Sequence, residues 1–131
     1  MTPVSYILLI QGLYWLLTGS WGIIDIDSFM RITGPKTDIW LVKTVSVLIV
    51  VISLSLLSAV KSKQQTMPVI LLAISSCMGL AGIDFYYSLN NIISPVYLLD
   101  GVAEILFIIA WIVVLLTTKN KRQSSTQSSS T

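Results

Sequence analysis

Four charged residues stand inside stretches otherwise built mostly from Leu, Ile, Val and Ala: Lys43, Asp84, Asp100 and Glu104. Carboxylates in apolar surroundings carry protons or bind small and organic cations, and a pair in unequal environments works as general acid and base. Asp100 and Glu104 are four residues apart, so on a helix they share one face. No His is present, and the single Cys, Cys77, has no partner for a disulfide or a CxxC site. No activated nucleophile, phosphate-cradling loop or metal-ligand spacing accompanies the acids, so no catalytic residue, metal site or cofactor is assigned. An intramembrane enzyme using Asp100 and Glu104 on a lipid-like substrate is the least supported reading.

The elements that must position these residues are four apolar runs, at about 4–24, 40–60, 67–89 and 95–117. About 20 residues at 1.5 Å rise cross the roughly 30 Å hydrocarbon layer of a bilayer. The first run holds no charge, the second holds Lys43, the third Asp84, and the fourth Asp100 and Glu104. A β-barrel is excluded, because the segment Leu48 to Ile52 does not alternate apolar and polar residues. The first run lacks the basic flank and small-residue cleavage site of a signal peptide. Only 11% of the 131 residues are charged and the mean hydropathy is +0.84. Soluble domains carry about 25% charged residues. The chain therefore reads as all-α, a membrane four-helix bundle with antiparallel neighbours, spanning residues 1–118. Residues 119–131 read as a disordered basic and Ser-rich tail.

Short links, Lys61 to Thr66 and Asn90 to Ser94, join the later spans. The longer first link, Asp25 to Ile39, predicts one helical turn capped by Asp27 or Ser28 and running through Arg31. Thr33-Gly34-Pro35 stops that turn, and Thr37 or Asp38 caps the second span. Pro68 and Pro95 open spans three and four, where a missing N–H costs nothing.

The basic residues orient the chain. Lys61, Lys63, Lys119, Lys121 and Arg122 share one side of the membrane with the N-terminus, against Arg31, Lys36 and Lys43 on the other. Excess basic residues mark the cytoplasmic side. The chain is thus expected in the cell membrane, multi-pass, with both termini cytoplasmic. All six acids then lie in the outer half or outer loops, a local charge of −3 against +5 inside. The formal net charge of +2 conceals that polarity. Trp21, Trp40, Tyr86, Tyr87 and Tyr97 are expected at the outer interface, with Trp111 and Tyr6 nearer the inner one.

At helical rise, Asp84 and Asp100 each lie roughly 8 Å inside the outer boundary, Lys43 lies close to that level, and Glu104 is a turn deeper. A lipid-facing acid at such depth costs about 2.5–3.5 kcal/mol on insertion scales, so these side chains should point inward. Ala73, Cys77 and Ala81, continued by Asp84, form a small-residue stripe along span three. Gly12 with Gly19, and Ser46 with Ser53, repeat at seven, the spacing of a helix-packing seam. Structural roles exist for each charge. Lys43 can snorkel to headgroups or pair with Asp84, and Asp100 can complement a helix N-terminus. Glu104 is too deep to snorkel.

In size and topology the chain resembles the small four-helix bacterial membrane proteins, DoxX-like proteins among them. The block FMRITGPKTDIWLVK, Phe29 to Lys43, and the block ISPVYLLD, Ile93 to Asp100, are similar to segments of uncharacterised bacterial membrane proteins. The resemblance implies a four-span membrane fold and carries no activity or functional residue with it. Small multidrug transporters are similar in size, but their essential Glu stands in the first span, which here has no charge.

Two functions follow as expectations. One is binding or transport of a proton, small cation or organic cation through an outer-facing acidic cavity lined by Glu104, Asp100, Asp84 and Lys43. The alternative is a non-catalytic membrane subunit or assembly factor whose intramembrane charges are structural. The expected partners are the lipid bilayer and a homo-oligomer or partner membrane protein. The small-molecule ligand is unassigned, and the inner basic residues are those topology requires, without a nucleic-acid partner.

Overall fold

The computed structural model describes residues 1–130. It is all-helical among these residues, with α1 at Pro3–Ile24, α2 at Ile26–Thr33, α3 at Ile39–Ser62, α4 at Met67–Leu89 and α5 at Val96–Ser129. Four of the five, α1, α3, α4 and α5, are long and apolar enough to cross a membrane. The chain is a multi-pass membrane protein, and the span limits expected from hydropathy are met within two residues, except at the end of the last.

Local chemistry explains most boundaries. Thr2 caps α1, its hydroxyl accepting from the Ser5 N–H at 3.2 Å, and Pro3 occupies the first turn, where it loses no hydrogen bond. The turn expected after α1 is a two-turn helix, α2, and its cap is Asp25 rather than Asp27 or Ser28. The Asp25 carboxylate accepts from the Ser28 N–H at 3.2 Å. Gly34, at φ 96°, ends α2 in a conformation that side chains disfavour. Asp38 stands at the N-cap of α3 without a side-chain bond, and Lys63, left-handed at φ 57°, ends that helix.

Residues 119–129 continue α5, and Thr131 lies outside the described residues. At 34 residues α5 is about 51 Å long, well beyond a hydrocarbon layer. A helix already nucleated in the membrane extends at one hydrogen bond per residue. The Ser124, Ser125, Thr126 and Ser129 hydroxyls donate back to carbonyls three or four residues earlier. Side chains 119–130 are all exposed, so this extension buries nothing.

α1 packs chiefly on α3, and α4 on α5, while α1 also meets α5 and joins the two pairs. The α1–α3 seam is the one the glycine and serine spacing predicts. A Cβ at Gly12 would stand 2.9 Å from Leu57 Cδ2, and one at Gly19 would stand 2.9 Å from Val50 Cγ2 and 3.1 Å from the Ser46 carbonyl. Only glycine lets these backbones approach so closely. On α4 the stripe Ala73, Cys77, Ala81 and Asp84 is buried throughout.

Candidate functional site

Each acid comes from a helix whose inward face the small residues define. Asp84 extends the buried stripe of α4. Asp100 and Glu104 lie one turn apart on α5, with Gly101 between them. A Cβ at Gly101 would meet the Asp84 Cβ at 3.3 Å and the Phe85 ring at 3.0 Å, so this glycine lets α4 and α5 close around the acids. Asp84, Asp100 and Glu104 are near enough for each carboxyl to feel the charge of the others. Glu104 is fully enclosed, Asp84 is 5% exposed and Asp100 is half-buried.

Lys43 does not join them. It is exposed on α3, beside Thr44, Val47 and Leu48 in a shallow surface groove. α3 packs mainly on α1 and α4 on α5, which leaves Lys43 on the far side of α1 from the acids. The expected Asp84–Lys43 pairing is absent for that reason.

The partners of the acids come instead from the charge-free first span. Tyr14 donates its hydroxyl to Asp100, and Trp15 Nε1 donates to Glu104 Oε1 at 2.7 Å. One turn inward, Gln11 uses its whole amide: Nε2 donates to the Ala73 carbonyl at 3.0 Å and to Cys77 Sγ at 3.2 Å. Its Oε1 accepts from Trp111 Nε1 at 2.9 Å. Gln11, Tyr14 and Trp15 share one face of α1, so both groups of bonds run from α1 to α4 and α5. Gln11, Trp15, Cys77 and Trp111 are at most 1% exposed. Trp111 is therefore a core residue, not the interfacial anchor its position near the span end suggests.

The signal for α1 was its spacing. Gln11, Tyr14 and Trp15 fall at i, i+3 and i+4 on a span without charge, and a glutamine facing lipid would leave four hydrogen-bonding positions unmet. Two acceptors stay unsatisfied even within this network: Asp84 Oδ2 and Glu104 Oε2, both buried and without a hydrogen-bond partner. Buried polar atoms are nearly always bonded, so two at one site in lipid require a reason. Among the described residues, no three His, Cys, Asp or Glu side chains converge as a metal ion requires.

The outer end of the network is roofed. Trp21 of α1 donates to the Ser28 hydroxyl at 2.8 Å and stacks edge-on against Phe29 of α2. Lys36 Nζ donates to the Thr33 and Gly34 carbonyls, both at 3.3 Å, and stands 5.1 Å from the Tyr97 ring centre on α5. These contacts tie α2 and its loop to α1 and α5 at the end of the bundle to which Asp84 and Asp100 are nearer. No protein-family model, curated protein or solved structure matches the chain.

Proposed function

We propose that this membrane protein binds protons on Asp84, Asp100 and Glu104 and passes them across a four-span bundle whose chain termini both face the cytoplasm. The observation that carries the reading is the pair of buried oxygens without partners, Asp84 Oδ2 and Glu104 Oε2. A buried carboxylate needs a compensating cation or a proton, and a proton turns an unmet acceptor into a donor. The complete enclosure of Glu104 favours the smallest cation over an organic one. The five basic residues at one end, against none in the α4–α5 link, support the cell membrane and cytoplasmic termini. Four helices offer little room for a path, which favours a homodimer as the working unit.

A second reading has its own observation. Each of Asp100 and Glu104 accepts a bond from α1, so the acids also clasp α1 to α5. A non-catalytic subunit or assembly factor would need that clasp and no proton movement. The two separate on Glu104→Gln, which keeps an acceptor for Trp15 and cannot take up a proton. Protein reconstituted in vesicles with a trapped pH dye should show proton movement that Glu104→Gln abolishes while helicity persists. Wild-type movement in that variant would sink the proton reading. An intact fold with no movement in either protein favours the structural one.

A further inference from the structure

Two of the helices that build the acid network, α1 and α5, and the link between α4 and α5 stand, on the outer side, beside one short segment. From Tyr14 on α1, two turns outward, Trp21 bonds Ser28 and stacks on Phe29. From Asp84 on α4, one turn outward, Ser88 donates to the Ser94 carbonyl at 3.3 Å, and a Cβ at Gly34 would meet Ser94 at 3.7 Å. From Asp100 on α5, three residues outward, Tyr97 faces the Lys36 ammonium. The segment from Asp25 to Lys36 therefore lies across the outer mouth of the network, and Thr33 at its centre is buried.

Its fastening is unlike the rest of the molecule. The α1–α3 seam is closed by α3 side chains packed directly onto the glycines of α1. The start of the cover is held by Trp21, and its far end is held to α5 by one ammonium, which bonds two carbonyls of its own loop and stands 5.1 Å from the Tyr97 ring centre. Cation–π contacts of this kind are individually weak and form and break without disturbing the helices beneath. Its outer surface is polar enough to meet water, with Asp25, Asp27 and Arg31 all exposed.

We propose that α2 and the loop through Lys36 are a reversible cover over the outer mouth of the acid network, latched by Lys36 on Tyr97. In the closed form described here, Ser88 and Asp84 are shut from water. With the latch released, the segment pivots on its two ends, at Asp25 and at Thr37–Asp38 before α3, and water reaches the carboxyls from the outer side. As the gate of the site under Proposed function, the cover rests on that reading, but its movement is measurable without any proton assay.

The test places a thiol under the cover, at Ser88, which is buried and lies outside the acid network. In a Cys77→Ser, Ser88→Cys protein held in lipid nanodiscs, the rate of labelling by a water-soluble methanethiosulfonate reports opening. Lys36→Met should raise that rate about tenfold, and Lys36→Arg, which keeps a cation over the Tyr97 ring, should stay within about twofold of the parent. At the opposite end, Gln65→Leu removes the bonds that Gln65 makes with Thr2 and Ser5 and should leave labelling unchanged. Equal labelling in the parent and Lys36→Met overturns the cover, and so does an equal rise in Gln65→Leu, which would mean general loosening. Tyr97→Leu supplies a second release of the latch should Lys36→Met fold poorly, with the same rise expected. If labelling rises while protons do not move, the cover stands and the proton reading fails.

Discussion

The seam between α1 and α3 and the seam between α1 and α5 share a helix and are closed by different physics. Against α3, α1 offers Gly12, Gly19 and Gly22, and the fit is one of shape: backbones approach until a methyl group would collide. Against α5 and α4, it offers Gln11, Tyr14 and Trp15, and the fit is one of matched donors and acceptors. Lipid supplies no hydrophobic drive for helices to associate, so both close approach and interhelical hydrogen bonds serve to hold them. What separates the seams is completeness. The glycine seam has no polar remainder, whereas the polar one retains Asp84 Oδ2 and Glu104 Oε2 without partners. Incomplete satisfaction at one seam of an otherwise well-matched interior is where function is to be sought.

The largest effect expected from breaking the comparison is at Trp111. Trp111→Ala empties a fully buried site and leaves Gln11 Oε1 without its donor. A loss of about 3–5 kcal/mol is expected, read as the shift in unfolding of the detergent-solubilised protein. A loss below about 1 kcal/mol would mean that the polar seam contributes little to holding α1 on α5.

The glycine seam should respond less, and without touching the acids. Gly19→Val must displace Val50, Ile49 or the Ser46 backbone, and overpacking of this kind costs about 1–3 kcal/mol. Proton movement in the vesicle assay should remain, because Gly19 meets none of the network residues. If Gly19→Val abolished movement while Trp111→Ala preserved it, the assignment of shape to one seam and chemistry to the other would be reversed.

Most of the fold was legible because the lipid constraint is severe. Long apolar runs with short links leave few alternatives, and the small-residue spacing named both the α1–α3 contact and the inward stripe of α4. The convergence of Asp84, Asp100 and Glu104 followed from depth alone. Lys43 was misplaced because depth carries no azimuth: a residue at the right level on α3 faces away from α5 once α1 stands between them. Tyr14, Trp15 and Gln11 were missed for the opposite reason. They are uncharged, and attention to charge passed over a span where neutral donors were what buried acceptors required. Trp111 sits near a span end, where tryptophan ordinarily marks the interface, and only the Gln11 acceptor reveals its inward direction. In the tail, low hydrophobicity argued against a buried face, but a helix continued from a membrane span needs none.

The smallest effect is expected at the roof of the polar seam, where Asp25 joins α1 to α2. The Ser28 hydroxyl, with the Ser28 backbone N–H, holds the Asp25 carboxyl below its ordinary value of 3.8, and Arg31 adds to the effect. A carboxyl lowered in the folded state contributes its stability above the unfolded value, and that contribution fades as pH falls through the folded value. The order of α2 should therefore be constant from neutral pH down to about 4 and decline below it. Amide protection of Phe29, whose N–H donates to the Asp25 carbonyl at 3.1 Å, gives the readout. Asp25→Asn keeps a capping oxygen without the charge, so its protection should start slightly lower and show no acid-side decline. A decline of equal size in that variant would place the acid sensitivity outside this cap. It would leave the cap as a neutral hinge, equally able to carry α2 but indifferent to pH.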